Sequence, residues 1–449
     1  MSSDRRWIWG LVALGIGARV AAILVLGTHL VPRSTYEHGE IAANLLAGRG
    51  FRVEYLGAEG LTSQQAPVYP YFVAAAYALG GIGTPKALLI LQMVQAVLGG
   101  WLVLETIRLA RAVAPDSRRC WIAAGLIAAV HPTLVYAATH VQVALIATLL
   151  LIGTLARAYR ASTTRLGAIV GLWRALLTLT DPILALVAPA AAWCMARSAG
   201  GWRRAAGPIL AMTTVAAIVV APWIARNYRV HGELVLVKSS FGYAFWQGNC
   251  AGSEGTDKVV RPSVGTAIDR ASPGLRGANA ALWKARHEAG CIDDIALDAA
   301  DYRILRAVPE PERSRILFRR AVHDLKARPG RYRELCLRRL RYFFLFDETN
   351  PKTRSLVYRV GHLGLSALAL IGLAMAPAAV RSRLGPTLLT VGLIAGFHAL
   401  TIVSARFHIP IEPVLAVWAG AGLTREGNPG REASGEKSVP RRVPEPVAS

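Results

Sequence analysis

Apolar residues fill this chain in long runs at about 7–31, 86–108, 120–136, 141–157, 166–180, 183–196, 206–225, 359–378, 386–403 and 409–424. Runs hydrophobic on every side, many near the roughly 20 residues a bilayer demands, predict membrane helices. The pattern predicts an all-α polytopic membrane bundle of about ten spans. The longest polar stretch, 226–358, opens strand-like at Glu233-Leu234-Val235-Leu236-Val237 and turns helical and Arg-rich from about Ala280 to Arg341. It predicts a small α+β extracytoplasmic region. The organisation is then a membrane domain over 1–225 with its first loop at 32–85, an extracytoplasmic domain over 226–358, closing spans in 359–424 and a tail over 425–449. That tail lacks apolar periodicity and is expected to be disordered and cytoplasmic.

One apolar run, Val68 to Ile82, is decided by charge. If it does not cross, the short cationic clusters (Arg108 to Arg119, Arg157 to Arg165, Arg197 to Arg204, Arg381 with Arg383, Arg425) all share the side of the N-terminus. Positive residues favour the cytoplasmic side, so both termini are expected there, in an inner membrane, with 68–82 interfacial or re-entrant behind Pro67 and Pro70. The stretches 32–85, 137–140, Asp181, 226–358 and 404–408 then lie together on the outer face.

Composition agrees with a membrane protein. Of 449 residues 53% are hydrophobic and 18% charged, with mean hydropathy +0.37. The formal net charge of +23 sits in short clusters between apolar runs, so it implies no nucleic-acid partner. The run after Arg5-Arg6 is too long for a cleavable signal and reads as a signal anchor. Five cysteines have no metal-like spacing. Cys250, Cys291 and Cys336 share 226–358, so at least one stays unpaired within the chain, and spacing does not choose the pair.

Candidate chemistry gathers in the first loop. Ser34 is placed to cap a helix from Thr35, with Glu37 completing a capping box and Gly48 ending it. Glu37, Glu40 and Asn44 share one face of that helix, and Ile41, Ala42, Leu45 and Leu46 the other. Two carboxylates beside a membrane suit an active-site floor; capping and solvation are the bland alternatives.

The run Tyr36-Glu37-His38-Gly39-Glu40-Ile41-Ala42-Ala43-Asn44-Leu45, with Ala66-Pro67-Val68-Tyr69-Pro70 after it, resembles the first extracytoplasmic loop of bacterial family 39-like glycosyltransferases of the GT-C class. That class includes protein O-mannosyltransferases and the lipid A aminoarabinose transferase. Ala221-Pro222-Trp223-Ile224-Ala225-Arg226-Asn227 and Arg406-Phe407-His408-Ile409-Pro410 resemble two later segments, in the right order. The resemblance implies a GT-C-like bundle and an inverting transfer of sugar from a polyprenyl-phosphate donor to an envelope lipid, glycan or protein. Many members carry an Asp where this chain has Ser34 and Thr35. The resemblance therefore puts Glu37 in the base role, with Glu40 behind it.

A leaving polyprenyl phosphate needs fixed positive charge, for which Arg226, Arg406 and Lys238 are the candidates. Tyr69, His140, Asp181, Asn227, Asn249 and His408 are further candidates for holding substrate. Asp181 can equally cap the helix after it. No cofactor is required by the sequence and no metal ligands are assigned, although two carboxylates leave a divalent ion open. Membrane lipids are expected partners. An envelope-lipid transporter or flippase predicts ionisable groups at mid-bilayer, whereas these lie at one face; a catalytically inactive lipid-binding scaffold is the remaining alternative.

Overall fold

The structure, a computed structural model, describes residues 3–31, 35–257, 270, 274–277, 279–281, 297–350, 353 and 355–424. Ser34, Cys291 with any disulfide it would make, and the tail from 425 fall outside them. Each apolar run forms helix. Among the described residues five helices are long and apolar enough to cross a membrane: α1 (Ser3–Leu26, extended by a turn to Leu30), α4 (Pro85–Val113), α10 (Trp202–His231), α15 (Leu356–Met375) and α16 (Ala378–Leu400). The other runs fold as shorter helices broken by turns. They are α5 (Arg118–Val130), α6 (Pro132–Tyr136), α7 (Ala144–Ala158), α8 (Thr164–Thr178), α9 (Ala188–Ser198) and α17 (Glu412–Ala421). Pro132, Pro182 and Pro410 follow the breaks, since proline cannot donate into a continuing helix. The chain is a multi-pass membrane protein with an all-α polytopic bundle.

Small residues let the helices approach. A Cβ on Gly167 of α8 would sit 2.2 Å from the Pro208 carbonyl oxygen of α10, so the two backbones touch where only glycine fits. A charge inside the bundle is held by backbone carbonyls. Arg19 of α1 is fully buried and donates to the carbonyls of Gly15, Ala128 and Ala129 at 2.8–3.2 Å. At one end Glu105 pairs with Arg108 and Arg157 at 2.6 and 2.9 Å, the ion-pair role its position predicts.

The first loop is a built layer. The helix α2 (Tyr36–Leu46) begins one residue later than expected, with Thr35 at its N-cap and no side-chain cap. A hairpin that the apolar pattern did not announce follows: β1 (Arg52–Tyr55) pairs antiparallel with β2 (Ala58–Leu61). Leu56 and Gly57 turn it, both at positive φ, as a two-residue hairpin turn requires. α3 (Val68–Gly80) is a short apolar helix of 13 residues, too short to cross. Ala42 packs into the bundle core with Tyr69 and Val73, while Ile41 joins an outer core of Phe51, Val53 and Tyr55 with Phe245, Trp246 and Leu317. α2 is thus the seam between two cores.

The outer core is completed by α11 (Phe241–Asn249), α12 (Ala299–Arg306) and α13 (Glu310–Ala327), while α14 (Pro329–Phe344) turns Tyr342 and Phe343 into the bundle core; α12 to α14 are the Arg-rich helices expected there. The expected strand at 233–237 is not formed. α10 runs on to His231, and 233–237 folds back along its end as irregular chain. Its alternation is real, with Val235 and Val237 buried and Leu234 and Leu236 exposed. Asn227 and Trp223 side chains take the carbonyls a strand partner would have taken.

Candidate active site

Two extended segments are laced side by side over the end of the bundle. Ser239 donates its N–H to the Ser63 carbonyl at 2.9 Å, and the Ser240 hydroxyl donates to the Gln64 carbonyl at 3.2 Å. Glu310, at the head of α13, accepts from the Ser63 N–H at 2.8 Å and from the Ser239 hydroxyl at 2.5 Å. This lacing sets Gln65 beside Lys238, whose ammonium donates to Gln65 Oε1 at 2.9 Å. Gln65 Nε2 in turn donates to Glu37 Oε1 at 2.5 Å. Glu37, Gln65 and Lys238 form one chain of polar contacts.

Gly39 fixes where Glu37 sits. A Cβ there would lie 2.3 Å from Thr35 Oγ1 and 2.7 Å from the Tyr77 hydroxyl, so the turn into α2 and its approach to α3 are tightest with glycine at this position. Asp181 approaches from another side. The Val68 N–H donates to the Leu179 carbonyl at 3.1 Å, bringing the turn after α8 to the start of α3. Asp181 caps the short helix after it, accepting from the Ile183 N–H at 3.2 Å, and acts electrostatically on Lys238 as well. Arg406 comes from the connection before α17 and lies 3.9 Å from buried Asp257. Its charge reaches Glu37, Asp181 and Lys238.

The electrostatics push the two carboxylates apart. Burial works to raise the Glu37 carboxyl, but His38, its own backbone N–H, Arg406 and Lys238 together bring it below its ordinary value. His38 is itself pushed down to about 4, chiefly by burial. Asp181 goes the other way: burial raises it, and Lys238, Ile183 and Arg406 only partly oppose. Burial lowers Lys238, against Asp181 and Glu37.

Of the other candidates Tyr69 reaches the group, its ring edge-on to His38 at 4.9 Å between centroids, and the rest make their hydrogen bonds with other partners. Glu40 is exposed and accepts the Glu54 N–H at 2.9 Å, tying α2 to the hairpin. Burial, with Glu54, Glu59 and Glu37 nearby, raises its carboxyl. Arg226 is not brought to the group. Its guanidinium donates to the carbonyls of Thr62 at 2.6 Å and Phe51 at 3.2 Å and packs against Phe51 and Trp223. Asn227 is buried, with Ser63 donating to its Oδ1 at 2.8 Å. Tyr69 donates to Gln95 Oε1 at 2.7 Å and accepts the Gln142 N–H at 2.6 Å, locking α3 to α4 and α7. Asn249 donates to the Phe245 and Thr401 carbonyls and accepts from Arg339. His140 is buried against Tyr136, and His408 joins a different cluster, with Glu412.

Gln65, His38 and Asp257 are the site residues that sequence reading passed over. His38 lay inside the quoted motif; Gln65 carries no signal until its partners are known. A cavity of about 300 Å³ opens behind β2 among Leu61, His231, Glu310 and Arg313, with neither Glu37 nor Lys238 in its wall.

No protein-family model matches the chain, and no curated protein sequence matches it. Solved structures do. Archaeal oligosaccharyltransferase AglB from Archaeoglobus fulgidus, in complex with an inhibitory peptide and a dolichol-phosphate, overlaps 94% of this chain and 50% of its own at 14% identity and TM-score 0.50. The Archaeoglobus fulgidus oligosaccharyltransferase in the apo form gives 13% identity and TM-score 0.50 over the same shares. ArnT from Cupriavidus metallidurans bound to undecaprenyl phosphate overlaps 97% of this chain and 79% of its own at 14% identity and TM-score 0.43. The chain spans about half the length of the archaeal chains. At such identity the likeness is one of fold, and the fold is GT-C-like.

Proposed function

We propose that this chain is a membrane glycosyltransferase that moves a sugar from a polyprenyl-phosphate-linked donor to a hydroxyl-bearing acceptor. The observation that carries this reading is Glu37 linked through Gln65 to Lys238, with Arg406 and Asp181 acting on them. A base and a leaving-phosphate site must sit on opposite sides of one anomeric carbon, and a carboxylate beside paired cations supplies both.

The acceptor oxygen attacks the anomeric carbon while its proton passes to Glu37. The bond from that carbon to the phosphate oxygen breaks, and the polyprenyl phosphate leaves with the electron pair. Lys238 and Arg406 stabilise the phosphate charge as it develops. Attack opposite the leaving group inverts the carbon. Gln65 holds the carboxylate and the ammonium at a fixed separation, and Asp181, raised where Glu37 is lowered, tempers Lys238. Arg226 braces the loop from behind. The fold shared with oligosaccharyltransferase supports the donor class; the acceptor is proposed no further than a hydroxyl of an envelope lipid, glycan or protein.

The test is sugar release by purified protein from a panel of polyprenyl-phosphate sugars, wild type beside Glu37→Gln. The isosteric change should lower turnover about 100-fold or more while donor binding stays. Turnover that survives the change moves the base to Asp181. No turnover of any donor, with lipid translocation in vesicles instead, would replace the enzyme by a flippase.

A further inference from the structure

Away from the Glu37 group, four titratable side chains from separate stretches meet inside the bundle. They are His131 between α5 and α6, His362 on α15, His408 before the last helix and Glu412 in its first turn. All are buried, with side-chain exposures of 5%, 2%, 1% and 0%. Glu412 Oε1 lies 3.0 Å from His408 Nδ1 and 3.9 Å from His362 Nδ1. Its Oε2 accepts from the Thr133 hydroxyl and lies 3.3 Å from His131 Nδ1. One ligand atom from each of His362, His408 and Glu412 falls within 4.8 Å of the other two.

The outer contacts set the tautomers. His362 Nε2 is 3.1 Å from the Phe344 carbonyl oxygen. A carbonyl only accepts, so Nε2 carries the proton and Nδ1 of the neutral ring presents a lone pair. That Nδ1 is buried, has no hydrogen-bond partner and faces the carboxylate. Two lone-pair atoms turned toward each other in a dry interior call for positive charge between them. His131 shares only the outer contact, with Nε2 3.2 Å from the Gly361 carbonyl, while its Nδ1 meets the Thr133 hydroxyl at 2.9 Å. On His408 the outer nitrogen, Nε2, meets the Tyr358 hydroxyl at 2.6 Å. Imidazoles whose outer nitrogen is hydrogen-bonded to a carbonyl or hydroxyl, around a carboxylate that is itself hydrogen-bonded, make the shell that orients metal ligands.

We propose that His362, His408 and Glu412 bind a borderline divalent cation of the Zn²⁺ class, with His131 and Thr133 holding the second carboxylate oxygen. Two imidazole nitrogens and one carboxylate oxygen match the donors that class prefers. Metal bonds of about 2.0–2.1 Å in a tetrahedral site place neighbouring ligand atoms about 3.3 Å apart. The observed 3.0 and 3.9 Å bracket that spacing. Binding displaces the proton between His408 Nδ1 and Glu412 and ties α15 to the last helix, with α5 and α6 behind. The ion lies apart from Glu37, and this inference stands whether or not the chain transfers sugar.

The experiment uses the full chain in detergent, carrying an affinity tag without histidine. Elemental analysis of the purified protein should find about one equivalent of zinc-class metal, and after chelation Co²⁺ should restore the intense visible absorption of a low-coordinate site. His362→Ala and Glu412→Gln should each weaken Co²⁺ binding at least about tenfold. His398→Phe, at a buried histidine outside the cluster, should bind as wild type does. X-ray absorption on the wild-type Co²⁺ protein should count two imidazoles, which decides the matter even where a variant fails to fold. Wild type that holds no metal and leaves Co²⁺ in its aqueous, weakly absorbing form would overturn the site and leave an imidazolium–carboxylate cluster. Equal binding by the variants would overturn it too.

Discussion

At the scale of single residues, the charge on Glu37 is set by neighbours that differ in permanence. Burial pushes His38 down to about 4, while His38, the Glu37 backbone N–H and the charges of Arg406 and Lys238 act to lower Glu37. A base works deprotonated, and its acid limb falls where it gains a proton. With Glu37 below the ordinary carboxyl value of about 4.3, the wild-type pH–rate profile should stay flat down to that region. Removing a cation raises a carboxyl, so Lys238→Met should move the acid limb to higher pH as well as lower turnover. A limb that stays in place would detach Lys238 from Glu37. Tyr69 makes a different prediction. Tyr69→Phe strands the Gln95 oxygen and the Gln142 N–H in the interior, which costs about 1–3 kcal/mol. A lower melting temperature in detergent, with the pH profile unmoved, is the expected outcome.

Among the elements, Arg226 divides two roles that sequence alone left together. Its fork spans the Thr62 and Phe51 carbonyls, which a lysine cannot reach at once. Arg226→Lys should therefore lower the melting temperature and turnover together, because the loop that carries Gln65 loses its brace. A phosphate ligand would behave otherwise: the lysine would keep some of the donor affinity and the protein would melt as before. The helix pair α8 and α10 gives a packing test. Gly167→Leu drives a side chain into the Pro208 carbonyl and should destabilise by about 1–3 kcal/mol, read as detergent thermal stability.

Over the whole molecule, Glu37, Gln65, Asp181, Lys238 and Arg406 come from stretches that the charge pattern assigns to one face of the membrane, and they meet at one end of the bundle. Glu105, Arg108 and Arg157 pair with one another elsewhere, on stretches assigned to the other face. In a background without native cysteines, a membrane-impermeant thiol reagent should label Arg319→Cys on intact cells. Arg165→Cys should react only after permeabilisation. The reverse pattern would invert the topology and put the Glu37 group in the cytoplasm.

The ten apolar runs and their helices were legible from composition, because a bilayer demands apolar residues in unbroken stretches and leaves their mark in sequence order. The Arg-rich helices and the short helix at 68–80 were legible for the same local reason. The strand expected at 233–237 was not formed, because alternation reports burial on one side and says nothing of a pairing partner. The hairpin at 52–61 was not announced, because Leu56 is not a residue that usually takes the positive φ its turn requires. Gln65 had no readable signal, since its meaning lies in bridging Glu37 to Lys238, 201 positions apart in the chain by their residue numbers. Nor could spacing reveal the buried set of His131, His362, His408 and Glu412, which three separate stretches of the chain contribute. Sequence determined what each segment is, because hydrophobicity and helix punctuation act locally. Only the tertiary structure decided which polar groups meet, because contacts between distant residues are fixed by how the helices pack.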